Sequence, residues 1–424
     1  MIAPRLDLGT RVPSTTLETP DIVIVGGGIG GGALAKCLAE AGVSVLVLER
    51  TTEYVDVVRG EWIAPWGIPE TKALGVYPLY LANGGHHLKR HVSYDEDVDP
   101  TVAEHAAFDM TTLPGSSGPL CIGHPKMCNV LNDAARAAGA KVLRGVTGTR
   151  VTPGHPPTVA FEHEGRGYEL RPRCIVGADG RHGKTAEQIG AVLNQDPRHH
   201  LFSGLLVDGV PSWPADKQFV SVEGDVNVLG FPQGQGRIRL YISLALEQNK
   251  RLAGKEGPQR FLAAFRLKSV PGADAIAAGR PIGPCLVYPN QDTWIDAPYA
   301  EGVVLIGDAA GRNDPITGQG LSITHRDVRI VRDILLGDRH WSTDAFAPYG
   351  AERKERMRRL RIAAQITAKV EAEFDAAARA RRHRVAERRK TMAPESAAIF
   401  TPFVGPDALP AAAYSDEAIA ALLA

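Results

Sequence analysis

At 424 residues, 44% of them hydrophobic, the chain is long enough for two domains, or for one domain with a large insertion, and it can bury a sizeable core without covalent staples. Lysine plus arginine and aspartate plus glutamate each number 48, so no net field argues for nucleic acid or an acidic membrane surface, and a small molecule is the expected partner. Cys37, Cys121, Cys128, Cys174 and Cys285 form no C-x-x-C pair and are odd in number, which suits a reducing cytosol better than a disulfide framework.

Residues 1 to 20 carry Arg5, Asp7, Arg11 and Glu18 and lack the continuous apolar core of a signal peptide. No uncharged apolar run reaches spanning length either, so a cytoplasmic protein is the expectation. The stretch that follows, DIVIVGGGIGGGALAKCLAEAGVSVLVLER, reads as a β-α-β unit. Ile22 to Val25 is a β-branched apolar run, and Gly26, Gly28 and Gly31 satisfy G-x-G-x-x-G. A small-residue helix follows, then Val43 to Leu48 as a second strand ending on Glu49 and Arg50. Gly26 allows the tight turn, Gly28 lets the backbone approach a pyrophosphate, and Gly31 lets the helix lie against the sheet. The helix N-terminus favours the anion through unpaired N–H groups. Glu49, about twenty residues beyond Gly28, is placed for a ribose and would repel a 2′-phosphate, so the nucleotide is FAD or NAD rather than NADP.

Proline and glycine break the next connection, which holds Arg59, Gly60, Glu61, Trp62, Pro65 and Trp66. The two tryptophans either line a substrate entrance or pack inside. Pro125 to Ala138 is predicted helical with Pro125 in the first turn, Lys141 to Leu143 starts a strand, and residues 157 to 170 form a hairpin. From about 200 to 245 the texture changes to short alternating runs, Gln218 to Val222, Val226 to Leu229 and Ile238 to Leu244, which predict an antiparallel sheet in a ligand-covering domain. Strand character returns at Val303 to Ile306 and runs into Gly307 and Asp308, so the first domain is discontinuous. Residues 350 to 392 read as a helical region dense in both charges, with a solvated or dimer-contacting role. His86-His87 and His199-His200 read as loop histidines and not as a metal site, since no carboxylate or cysteine spacing accompanies them.

Three segments act together: the opening unit through Glu49-Arg50, CIVGADGRHGKTAEQIG at 174 to 190, and LIGDAAGRNDPITGQGLSITHRDV at 305 to 328. Their order and spacing resemble the class A flavoprotein monooxygenases of the p-hydroxybenzoate hydroxylase type, over roughly residues 20 to 345. The resemblance implies an α/β fold: an FAD-binding Rossmann-like domain from residues 20–75, 100–190 and 290–345, an antiparallel-sheet substrate domain from 76–99 and 191–289, and a C-terminal helical region over 346–424. It implies that Asp179 and Gly180 lie beside the FAD pyrophosphate and the nicotinamide approach. By the same resemblance Asp308 binds the ribityl chain, Pro315 packs near the reactive flavin edge, and Gly318, Gly320, Leu321 and Ser322 open a helix under the isoalloxazine. Arg59 falls where the family has an arginine near the flavin edge, or is a surface arginine. Arg239-Leu240-Tyr241 resembles an R-x-Y on a substrate-domain strand, whose alternation turns both side chains toward the flavin or into a core. The pattern departs from the family at Gly311, where a histidine is common, at Ser322, where an asparagine is frequent, and at Gly183, where serine is usual.

By resemblance, NADPH or NADH reduces FAD, O2 gives a flavin C4a-hydroperoxide, and one oxygen atom passes to a small organic substrate, with phenolic hydroxylation the leading case and a homodimer admissible. Arg59, Pro315 and Tyr241 are the candidate catalytic residues, and Arg239 and Tyr241 the candidate substrate contacts. Two other classes stay open. A flavin-dependent halogenase is suggested by Gly60-Glu61 with Pro65 and by Lys89. An FAD-dependent reductase or oxidase without oxygen insertion shares similar folds.

Overall fold

The computed structural model describes residues 17–56, 58, 60–337 and 341–424. The run Ile22–Val25 is central in a six-stranded sheet whose order is Tyr299–Ala300, Val303–Leu305, Cys174–Gly177, Ile22–Val25, Val45–Glu49, Lys141–Arg144. All neighbours pair parallel except Tyr299–Ala300 with Val303–Leu305, and Ile22 stands opposite both Cys174 and Val45. The β-branched runs suit these strands because both faces are covered. Alternate side chains divide between the faces. Ile22, Ile24, Val45 and Val47 join Leu34, Leu38, Leu131 and Val328 from the helices Ile29–Glu40, His124–Ala137 and Gly320–Gly337. Val23, Val25, Leu46 and Leu48 meet Val151, Val159, Phe161 and Leu170 of the three-stranded sheet Thr147–Thr152, Thr158–His163, Arg166–Leu170.

The second large sheet has seven strands, in the order Arg280–Asn290, His200–Asp208, Arg237–Leu244, Val226–Gly234, Lys217–Glu223, Arg90–Asp95, Phe108–Asp109. It is antiparallel apart from one pair, since Arg90–Asp95 runs parallel to Lys217–Glu223. Phe108–Asp109 pairs with this sheet, although residues 100 to 109 were expected in the nucleotide domain. Val76 and Tyr80, expected in the substrate domain, pack instead in the nucleotide core. Of the histidines expected in loops, only His199 is in one: His86–His87 is a two-residue strand, and His200 begins the strand His200–Asp208. One face of the seven-stranded sheet packs Leu205, Leu240 and Ile242 on Phe261 and Phe265. The other presents Phe202, Val220, Leu229 and Tyr241 toward the nucleotide domain.

The C-terminal region is helical, as expected, with Thr343–Glu371 and Ala376–Lys390 as its long members. It is not merely a solvated face. Arg353 and Arg356 of the first helix are fully buried and share Asp327, itself fully buried, at 3.0 and 2.6 Å. Burial works against the Asp327 carboxylate, but the two guanidinium groups hold it below the usual carboxylate range. Arg353 also donates to the carbonyls of Ala310 and Gly311 at 2.7 and 2.9 Å, so the C-terminal region fixes the loop after Val303–Leu305.

Candidate functional site

A cavity of about 1050 Å³ runs between the two large sheets and under the C-terminal helices. At one end lies the glycine turn. An added Cβ at Gly31 would stand 1.9 Å from the Gly26 carbonyl oxygen, which explains why the opening helix needs glycine there, while Gly28 faces open space in which a phosphate can approach. Glu49 accepts hydrogen bonds from the backbone N–H groups of Gly27 and Thr51, both at 2.6 Å, and lines the cavity with Arg50. Asn132 and Tyr54 both donate to the Gly27 carbonyl at 2.6 Å, fixing the turn from behind. Neither was singled out in the sequence, because a single Asn or Tyr carries no spacing signal.

The middle of the cavity gathers Gly180, Asp179, Asp308, Pro315, Gly318, Gly320 and Leu321 from distant segments. Asp179 accepts from the Thr185 N–H and hydroxyl through one oxygen, and its other oxygen is buried without a partner among the described residues. Asp308 is half-buried on the cavity wall, and no described residue donates to its carboxylate. Pro315 opens a short 3₁₀ turn capped by Asp314, which accepts from the Ile316 N–H at 3.0 Å. Behind it, the Asp292 Oδ1 accepts from Asn313 at 2.6 Å and from the Asp314 N–H at 2.8 Å. Burial, and for Asp314 also the neighbouring Asp292 charge, pushes these carboxyls up, Asp292 to about 7 and Asp314 to about 8.

The three departures from the family pattern have local causes. A side chain at Gly183 would run into the Asp179 carboxyl, with its Cβ 2.0 Å from Cγ. At Gly311, φ is +106° and a Cβ would sit 2.5 Å from the Trp294 Cα, so a histidine has no room. Ser322 is fully buried and turned away: its Oγ accepts from the Ala64 N–H at 3.0 Å and it does not line the cavity, contrary to the expected cofactor contact.

Tyr241 lines the cavity, stacked on Phe202 at 5.0 Å between ring centroids. Burial raises its hydroxyl well above the usual range, so the phenol keeps its proton. Arg239 lies on the same face, as the alternation predicts, but is not a substrate contact. Asp56 and Glu61 cover it, and its guanidinium meets Glu61 at 2.5 Å and Asp56 at 2.6 Å with 1% of its side chain exposed. Arg59 lies outside the described residues. Lys89 is exposed and does not line the cavity.

The far end is built by residues the sequence did not single out, apart from Trp62. Trp62 donates to Gln218 at 2.8 Å, Gln218 donates to the His91 Nδ1 at 3.0 Å, and the His91 Nε2 donates to Ser93 at 3.2 Å. Burial, aided by the Arg389 charge, holds His91 down at about 3, so the imidazole is neutral and this tautomer satisfies both partners. Phe231 and Phe403 add aromatic walls, and Glu371 and Arg389 enter from the C-terminal helices. Among the described residues, one group with metal-ligand geometry occurs, Asp95, Asp97 and His383, and it lies outside this cavity. No described helix is long and apolar enough to cross a membrane.

Residues 19–388 match a family described as an FAD binding domain. The chain is 26% identical to 3-demethoxyubiquinol 3-hydroxylase of Escherichia coli over 81% of its own length and 86% of that protein. It is 24% identical to squalene monooxygenase of Rattus norvegicus over 77% of its length, and spans 56% of that relative. The structure of p-nitrophenol 4-monooxygenase from Pseudomonas putida superposes with a TM-score of 0.74 at 18% identity, covering 86% of this chain and 92% of that one. The residues present fit FAD, since the open face of Gly28, the unpartnered Asp179 oxygen and the undonated Asp308 carboxylate are what a pyrophosphate and a polyol chain would meet. With a nucleotide cradle and an aromatic chamber in one cavity and a family match over most of its length, the chain belongs to the class A FAD-dependent monooxygenase family and is an oxidoreductase.

Proposed function

We propose that the protein uses NADH or NADPH and O2 to place one oxygen atom on a small aromatic or phenolic substrate. The observation that carries this reading is the continuity of the nucleotide cradle with a chamber walled by Trp62, Phe202, Phe231 and Tyr241. FAD, when bound, supplies hydride acceptance from the nicotinamide and activation of O2. The chain's own residues bind, orient and exclude water. Gly28, Glu49 and Asp308 would hold the dinucleotide. Pro315 and the backbone N–H groups that open Gly320–Gly337 face the cavity, where a helix N-terminus stabilises negative charge on a bound ring without a cationic side chain. Tyr241, kept protonated, is a donor for a substrate oxygen, and the aromatic walls keep bulk water from the reacting atoms.

The halogenase reading is disfavoured because Lys89, its candidate lysine, is exposed away from the cavity, and Glu61 is engaged by Arg239. Turnover of the FAD-loaded enzyme under labelled O2 with NADH or NADPH, across a panel of phenols and aromatic acids, separates oxygenase from reductase. One labelled oxygen in an organic product is the expected result. Label found only in water or hydrogen peroxide would overturn the reading.

A further inference from the structure

We propose that the C-terminal helices build an anion receptor into the substrate end of the cavity, where the Arg389 guanidinium takes the carboxylate of an aromatic organic acid. This names the substrate class, and it rests on the oxygenase reading only in calling the ligand a substrate. Arg389 reaches the cavity from Ala376–Lys390. No described residue accepts a hydrogen bond from its side chain or forms an ion pair with it. The guanidinium lies over the Phe400 ring, 5.7 Å from the centroid, a contact that uses none of its N–H donors on an acceptor oxygen.

The other deeply placed arginines differ. Arg239, Arg353 and Arg356 each hold a carboxylate within 3.0 Å. Arg389 is half-buried on the cavity wall without such compensation, and burial lowers its affinity for its proton. A cavity-facing cation in this state has given up part of its hydration without gaining a partner, and an arriving carboxylate supplies both charge balance and hydrogen bonds.

The groups that face Arg389 leave that role open. Glu371, at the end of Thr343–Glu371, is the described carboxylate that acts on it, from beyond ion-pair distance. Burial pushes the Glu371 carboxyl up to about 7, against the lowering effect of Arg389 and Arg382, so near neutral pH it is protonated much of the time. His91, on the sheet opposite, is neutral, and its partners Gln218 and Ser93 carry no charge. Phe231 and Phe403 line the same end and suit a flat apolar body.

The test uses the oxidised, FAD-loaded enzyme without nicotinamide, so neither reduction nor oxygen chemistry enters. Benzoate and benzamide, with 2-naphthoate and 2-naphthamide as a larger pair, are titrated and followed by flavin absorbance and by the shift in Tm. We expect at least one acid to bind about tenfold or more tightly than its amide, the factor a charge-assisted hydrogen bond provides. Arg389→Met should erase that preference while amide affinity and flavin content stay unchanged. Arg384→Met, on the exposed side of the same helix, should change nothing. Glu371→Gln should tighten acid binding at pH 8, a gain that misfolding does not imitate. Equal affinities for acid and amide in the wild type, no binding by any of the four, or a preference that survives Arg389→Met would overturn the proposal. Acid preference without labelled product under labelled O2 would sink the oxygenase reading and leave the receptor standing.

Discussion

Asp308 shows how a single side chain can be set aside for a ligand. It stands on the cavity wall after Val303–Leu305, half-buried, with no described donor to its carboxylate, while nearby Asp327 is saturated by Arg353, Arg356 and the Gly307 N–H. Two acids some twenty residues apart thus differ: one neutralises buried cations, and the other is unengaged and, on the proposed reading, accepts from cofactor hydroxyl groups. Asp308→Ala is expected to weaken FAD binding about tenfold or more, the value of hydrogen bonds to a charged acceptor, while leaving Tm of the flavin-free protein little changed. Fluorescence titration of flavin-free protein with FAD measures it, and an unchanged Kd would remove Asp308 from the site. At the same scale, Gly183 and Gly311 are glycines for steric reasons, since the Asp179 carboxyl and the Trp294 backbone occupy the space a side chain would need. A family pattern read from sequence marks these positions as departures, but only the packing supplies the reason.

The loop from Gly311 to Gly318 depends on buried acids at the level of the element. Asp292 and Asp314 are raised to about 7 and about 8, chiefly by burial, whereas unfolded aspartates titrate near about 3.9. Between those values the folded state binds more protons than the unfolded state, so stability is greatest at the acid end and falls as pH rises through the folded values. Asp292→Asn keeps the Oδ1 acceptor for Asn313 and the Asp314 N–H but removes a charge. Its Tm should therefore fall less than that of the wild type between pH 6 and pH 9, by a few degrees at the upper end. Parallel Tm curves would show that these carboxyls do not titrate in that window.

Several strands were legible because burial of one or both faces writes itself as alternation or as a continuous β-branched run. Ile22 to Val25 and Ile238 to Leu244 are examples, whereas Arg90–Asp95, His200–Asp208 and Arg280–Asn290 of the second sheet were not singled out. The helices after residue 343 were legible as helices but not as a wall of the site. Arg353 and Arg356 look like surface charges in a run of charges, and the partner that permits their burial, Asp327, lies 26 and 29 residues earlier on another helix. Arg239 was misread for a related reason: strand alternation gave its face correctly, but nothing in the local sequence says that Glu61, 178 residues away, would cover it.

Taken as a whole, the molecule places one cavity between a nucleotide-binding sheet, an aromatic sheet face and a helical cap, and each contributes a different part of the chemistry. On the proposed reading the nucleotide sheet holds the dinucleotide, the aromatic face excludes water, and the cap supplies Arg389 and Glu371 to the substrate end, while Arg353 fixes the Ala310 and Gly311 carbonyls of the loop beside it. The proposed reading predicts a self-sufficient enzyme, in which the nicotinamide reduces the flavin directly and no separate reductase is required. The measurement that tests this most directly is anaerobic mixing of the FAD-loaded protein with excess NADH or NADPH, with and without the aromatic acids, followed by flavin absorbance to completion. Full bleaching of the oxidised flavin by one of the two donors, faster with a bound acid, is the expected result. A flavin that stays oxidised with both donors under every condition would contradict the account and point to an enzyme supplied with electrons by a partner.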